Sequence, residues 1–392
     1  MKITFFLFTD IRTGRGTENV LLNLLKYKPS DINVTIIQTD LFDKMILSEE
    51  YVKEITKDCE IIKFHTYNYG TKNLISNIVK ELIKKPYYKD LYHLKNTEIY
   101  KKILDTDLVY LFNNKYAIFF DNVNIPIIAS DHTDPVSNTF KKPNYFKNIY
   151  MKIIYYIYYK NINGWHTFRS NEHIVYKIKL KYKMILPNGV DTQIFYPDYG
   201  VKNGKIKFLY VGALVPQKGL DILLPLIKNI DFSSAEFHIV GSGPLEREIR
   251  KNNKIKYHGS LEIEDLARLY RDCDILINPT RADSFSLVTL EALSSGLYIL
   301  LSDYLRGTFD DFEGKYLEYL PRNIEAFEKR MKEIINNKST IDYYKQDEYN
   351  YVKEHYDWQI IAKKFYDNMK RFHEESKKQE GHSLSTDISI RM

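Results

Sequence analysis

Asp283 and Glu291 stand eight positions apart in the stretch "RADSFSLVTLEALSSG" (281–296), with an almost wholly apolar run between them. Leu287, Val288, Leu290, Ala292 and Leu293 read as a helix that is apolar nearly all round, closed by Gly296. The preceding "ILINPT" reads as a buried strand. The backbone N–H groups of Phe285, Ser286, Leu287 and Val288 then fall at a helix N-terminus, beside its positive pole, where they could seat a phosphate. Glu291 lies about one turn inside that helix, in a partly buried place. An ionised acid there is costly unless it is hydrogen-bonded. A ligand diol such as a ribose would donate two such bonds. Two other readings stay open on this segment alone: the acid complements the helix dipole, or it meets an internal cation.

Other residues have chemistry to offer. Lys218, in "PQKG", follows a strand-like run and precedes a glycine, so it can reach phosphates as a point charge or stand as an exposed loop lysine. Arg281 and Arg15 are further cations, each also readable as a surface arginine. Gly14 and Gly16 flank Arg15 after the first strand, and Gly16 would let the backbone approach a ligand closely. The spacing lacks the full dinucleotide fingerprint, which argues against NAD and leaves a plain strand-to-helix turn as the alternative. Ser242 and Gly243 in "GSGP" form a turn near a would-be nucleotide, or simply a turn. His132 follows the strand-like "IPIIAS" within "DHTD" (131–134), two carboxylates and one imidazole that make a thin case for a metal.

These residues need elements to hold them. Strand-like runs recur at "KITFFLF", "NVTIIQT", "EIIKFH", "LVYLF" and "IPIIAS", with the amphipathic helix "TENVLLNLLKY" after the glycine loop. Pro, Gly, Asn and Asp crowd "PNGVDTQIFYPDYGVKNGK" and mark a linker. The layout then restarts with strand "IKFLYVGAL", helix "LDILLPLIKNI", strand "EFHIVGSGP", helix "LEREIRK", strand "IKYHGS", helix "EIEDLARLYRDC", strand "DILINPT" and strand "LYILLSD". A helical pattern, "DWQIIAKKFYDNMKRF", comes near the end. Alternating strands and helices predict two parallel sheets covered on both faces, with ligands at the carboxyl ends of the strands.

At 392 residues the chain can build two cores, and 44% hydrophobic residues suit a globular protein. Two cysteines exclude a disulfide framework and suit a reducing cytoplasm. Neither a secretory signal nor an apolar run long enough to span a membrane is apparent. The net charge of +6 is uneven: residues 1–195 carry 28 Lys and Arg against 20 Asp and Glu, whereas residues 196–392 carry 29 against 31. The basic half, with its Tyr- and Lys-rich segment 141–160, fits an anionic acceptor or the inner face of an anionic membrane, and equally a solvated lysine surface. Arginine is sparse, and no nucleic-acid-binding signature appears.

Taken in order, these stretches resemble the retaining glycosyltransferases of family 4, glycosyl transferases group 1, which have the GT-B fold. "RGTENVLLNLL" (15–25) is similar to the family's N-terminal glycine loop and helix, and "IPIIASDHTDP" (125–135) to its strand ending in a histidine. "LPNGVDTQIFYP" (186–197) matches the interdomain segment. "FLYVGALVPQKGLDILL" (208–224) and "HIVGSGPLEREI" (238–249) match the first two strand–loop units of the second domain. "DSFSLVTLE" (283–291) resembles the E-x7-E segment, and "EHYDWQIIAKKFYDNM" (354–369) the C-terminal helix. The likeness is strong over 186–303 and weak over about 40–105.

The resemblance implies an α/β GT-B fold, two Rossmann-like parallel-sheet domains facing each other across a cleft. It implies an acceptor-side domain over 1–195 and a nucleotide-sugar-binding domain over 196–352. A helix over 353–373 crosses back to the first domain, and the polar tail 374–392 is expected to be disordered. It implies a retaining transfer of a hexose-type sugar from a UDP- or GDP-sugar to a glycan or lipid-linked acceptor, without cofactor or metal. Glu291 would hold the ribose, Asp283 would contact the donor sugar near the reacting carbon, Lys218 would bind the diphosphate, and His132 would face the sugar. Gly16, Arg15, Gly243, Arg281 and the 285–288 segment complete the donor-binding set. The sequence departs from the family at Asp283, usually Glu and one methylene longer, at Ala213, often Arg, and at Arg15, commonly Gly. Arg281 or Arg15 could stand in for the missing arginine. The Asp283 and Ala213 departures leave a second reading, a nucleotide-sugar-binding protein without turnover. A third is a related GT-B phosphorylase or epimerase, although no pyridoxal-binding lysine signature is present.

Overall fold

A computed structural model describes residues 1–7, 9–14, 16–39, 45–64, 98–112, 117, 120, 123–130, 160–168, 180, 182–200, 204–231, 233–337 and 345–389. The chain divides into two compact units. The first runs to Leu186 and takes in the chain from Ala362 onward; the second is Pro187–Ile361.

The first unit is built on a seven-stranded parallel sheet in the order β3-β2-β1-β4-β5-β6-β7. Its strands are β1 (Lys2–Phe6), β2 (Asn33–Thr39), β3 (Cys59–Phe64), β4 (Leu108–Leu111), β5 (Ile127–Ser130), β6 (Gly164–Thr167) and β7 (Tyr182–Ile185). Between them run helices α1 (Gly16–Lys26), α2 (Glu49–Thr56) and α3 (Glu98–Leu104). Every residue of β4 and β5 is buried, as a sheet covered on both faces requires. Thr4 is in register with Thr35 on one side and with Val109 on the other. The order therefore reverses between β1 and β4, which makes their carboxyl ends this unit's topological switch point. Phe365 and Tyr366, late in the sequence, complete this core. Phe365 packs edge-on to Tyr110 at 5.2 Å, and the Tyr366 hydroxyl donates to the Leu24 carbonyl at 3.1 Å.

The second unit has six parallel strands in the order β10-β9-β8-β11-β12-β13. They are β8 (Ile206–Val211), β9 (Ala235–Val240), β10 (Ile255–Tyr257), β11 (Ile275–Asn278), β12 (Tyr298–Ser302) and β13 (Leu317–Leu320). Its helices are α4 (Leu220–Asn229), α5 (Glu246–Arg250), α6 (Ile263–Asp272), α7 (Leu287–Ser294), α8 (Ile324–Asn336) and α9 (Lys345–Tyr356). Phe208, Phe237, Leu223, Leu226, Ile277, Leu300, Phe327 and Met331 form one buried cluster between the sheet and its helices. Fully burying side chains of this size contributes roughly 1.5–3 kcal/mol each before entropy is counted. Here the reversal falls between β8 and β11.

The segment read as a linker is anchored to the second unit. Val190 N–H donates to Tyr356 O at 2.9 Å, and Trp358 N–H donates back to Val190 O at 3.1 Å. A Cβ on Gly189 would lie 2.6 Å from the Trp358 ring, so the approach requires glycine. Residues 187–195 accordingly group with the second unit. The helix read over 353–373 is two: α9 ends at Tyr356, and α10 (Trp358–Ser389) starts after Asp357. Asp357 accepts from the Thr192 hydroxyl at 2.5 Å and from the Gln359 N–H at 2.9 Å, which starts a new helix there. α10 continues past Glu374, where the composition suggests a disordered tail. Extending an existing helix costs far less than nucleating one.

Candidate functional site

Lys218 and Asp283 come from the two loops at the switch point of the second sheet, and Glu291 from the helix that follows the second loop. Lys218 ends a single 3-10 turn (Pro216–Lys218) after β8; Asp283 lies in the loop after β11; Glu291 is the fifth residue of α7. The two loops are held together. Arg281 N–H donates to Gln217 O at 2.9 Å, and a Cβ on Gly219, at φ +85°, would lie 2.3 Å from Pro279 O. Only glycine fits that conformation and that approach, which fixes the lysine before it. Lys218 Nζ then sits 2.7 Å from Asp283 Oδ2, with both side chains partly exposed. Of the three departures from the family pattern, Arg15 lies outside the described residues, and Asp283 is engaged by the lysine of the same site. Ala213 O accepts the Tyr210 hydroxyl at 3.0 Å.

α7 opens on Ser286, whose hydroxyl oxygen accepts from Thr289 N–H at 3.2 Å and from Asn278 Nδ2 at 2.9 Å. The cap takes up one of the first-turn donors. The Leu287 and Val288 N–H groups precede the first turn's closure and have no intrahelical acceptor. The Ser286 side chain is thus committed to the helix, and Phe285 is buried against Phe309 at 5.0 Å. These two residues have backbone, not side chains, to offer a ligand.

The Glu291 carboxylate accepts from the Tyr270 hydroxyl, 3.1 Å from Oε2. Burial pushes its pKa up from 4.5 to about 7, and the Tyr270 bond offsets this only in part. Tyr270, fully buried on α6, is raised in turn by burial and by the Glu291 charge. The sequence reading missed it. Its only signal is the spacing of Ala267 and Tyr270, one turn apart on the buried face of α6. Arg281, a candidate phosphate cation, instead pairs with Asp221 at 2.5 Å. Gly243 serves the packing of the neighbouring turn: a Cβ there would lie 2.7 Å from Leu214 O.

In the first unit, Gly16 is the exposed first residue of α1, and among the described residues nothing lies within 4 Å of where its Cβ would be. Nearby, Asp10 stays well ionised. Burial raises its pKa, but hydrogen bonds from the Arg12 side chain and backbone and from Lys63 outweigh it, to about 2. Arg15, His132 and the rest of "DHTD" lie outside the described residues. Among the described residues no three His, Cys, Asp or Glu converge as a metal site, and no helix is long and apolar enough to cross a membrane.

Two parallel Rossmann-like sheets, the second with cations, amide donors and a half-buried acid at its switch point, define a GT-B type of architecture. Residues 205–337 match the family model described as glycosyl transferases group 1. An uncharacterized glycosyltransferase of Methanocaldococcus jannaschii is 26% identical over 317 residues, 73% of this chain and 84% of that protein. A subunit of the human phosphatidylinositol N-acetylglucosaminyltransferase is 26% identical over 218 residues, 50% of this chain and 43% of that protein. The structure of Anabaena HepE in complex with UDP and glucose shares the fold, with a TM-score of 0.68 at 15% identity over 94% of this chain and 99% of that one. The chain is a glycosyltransferase of the GT-B fold.

Proposed function

We propose that the protein is a retaining, family 4 hexosyltransferase that takes a UDP- or GDP-sugar through its second unit. The carrying observation is that Lys218 and Asp283 meet on adjacent loops at the carboxyl ends of β8 and β11, with Glu291 in the helix that follows. A diphosphate would lie on the Leu287 and Val288 amides, at the positive end of α7, with Lys218 supplying a point charge. The ribose hydroxyls would donate to Glu291, whose half-buried carboxylate already accepts from the Tyr270 hydroxyl. As the glycosidic bond to phosphate breaks, charge grows on the diphosphate, where these fixed donors stabilise it. Asp283, shifted off Lys218 by the incoming phosphate, would orient the sugar. In retaining chemistry of this kind a donor phosphate oxygen takes the acceptor proton on the same face, so no side-chain base is assigned. His132 and Arg15 keep the donor-side roles their motifs suggest. HepE was solved with UDP and glucose, which favours uridine, and the human relative's name points to a lipid acceptor. We assign a glycan or lipid-linked acceptor to the basic first half, working at the inner face of a membrane.

A thermal-shift panel of UDP, GDP and ADP with their sugars tests this. One uridine or guanosine series at ~100 Kd should stabilise the protein by ~2.7 kcal/mol. No shift with any nucleotide would refute the donor assignment. Binding with no sugar transfer or donor hydrolysis would favour a nucleotide-sugar-binding protein, which the Asp283 and Ala213 departures permit.

A further inference from the structure

A concave site lies on the second unit, away from the switch point. It is an open pocket of about 570 Å³ between the anchored segment 196–200 and the end of α6. Its size falls within the range of small-ligand sites. It sits at the other end of the sheet. Lys207, at the start of β8, binds Asp272 of the pocket wall at 2.6 Å, whereas Lys218 follows that strand's far end. A six-residue strand spans roughly 17 Å, so this pocket is separate from the donor residues.

Two tyrosine rings are left in solvent there: Tyr196 is 43% and Tyr199 57% exposed. The first is held flat, with the Arg271 guanidinium 4.4 Å above its centroid. Arg271 is itself fixed by donating to Ile194 O at 3.2 Å. Asp198 Oδ1 accepts from Gly200 N–H at 2.9 Å, which sets the turn that carries Tyr199. Arg268 and Asp272 complete the wall, each already in an ion pair, with Asp265 and Lys207 respectively. The pocket therefore combines positioned aromatic faces with fork-shaped donors and carboxylate acceptors, two arginines being balanced by two aspartates. Aromatic faces suit the C–H faces of a pyranose, and paired donors and acceptors suit its vicinal hydroxyls. The charge balance disfavours an anionic ligand.

We propose that this pocket is a binding subsite for an uncharged oligosaccharide. Held there, a glycan would stay tethered to the enzyme at raised effective concentration. Saturation-transfer NMR with maltotriose, cellotriose and mannotriose tests it, with sialyllactose as the charged comparison. At least one neutral trisaccharide should bind, and Tyr199→Ala and Arg268→Ala should each weaken it about tenfold. Both variants should keep the wild-type melting temperature and the wild-type response to UDP and GDP, since neither side chain touches the donor site. Three results would overturn the proposal: no transfer to any neutral probe, binding undiminished in both variants, or binding of sialyllactose alone.

Discussion

Glu291 answers to pH in two ways. Its folded pKa of about 7 lies above its ordinary 4.5, so between those values the folded chain holds a proton that the unfolded chain has released. Stability therefore falls as pH rises through that window and levels off above it. Glu291→Gln, neutral throughout, should lose this slope and gain up to about 3 kcal/mol over wild type by pH 8. Urea melts at pH 5 and pH 8 measure it, and equal slopes would contradict the buried acid. Ribose hydroxyls favour the ionised form, so UDP-sugar affinity should rise between pH 6 and 8 in wild type and stay flat in Glu291→Gln. Lys218→Ala should lower kcat by about a hundredfold, the scale of losing one preorganised donor to developing charge; a change in donor KM alone would place the lysine in ground-state binding. Asp283 and Glu291 could be singled out from the sequence because carboxylates interrupt an apolar run. Tyr270 could not, because a tyrosine on the buried face of a helix reads as core until its hydroxyl partner is known.

The elements that hold these residues depend on glycine and on caps. Gly219→Ala would put a methyl onto Pro279 O at a backbone angle that alanine avoids. It should cost about 1–3 kcal/mol in a urea melt and reduce turnover with it, by shifting Lys218. Ser286→Ala removes the cap of α7 and a partner of Asn278, for about 1 kcal/mol or more. The second sheet was legible because its strands are continuous apolar runs cut by Gly and Pro. β6 and β7 were not singled out. "GWHT" is four residues opened by a glycine, and "YKMI" alternates buried and exposed over only four positions. β13 and α8 lie beyond the last strand the pattern picked out. The segment 187–205 begins at the division between the two units; its Pro, Gly and Asn density marks irregular backbone but does not show that Tyr356, Trp358 and Asp357 pin it, because those hydrogen bonds join residues distant in sequence.

For the whole molecule, the uneven charge sets the expectation for the acceptor side. If the basic first half meets an anionic membrane, the protein should co-sediment with liposomes containing phosphatidylserine, not with neutral ones, and release as salt rises to about 0.5 M. Salt-independent binding, or none, would remove the membrane from the account. The central claim is that the second unit holds the donor nucleotide at the β8–β11 switch point. A crystal structure with UDP tests it most directly. The account predicts both ribose hydroxyls within about 3 Å of the Glu291 carboxylate, with the diphosphate on the Leu287 and Val288 amides and Lys218. A nucleotide bound elsewhere, with Glu291 still held only by Tyr270, would contradict it.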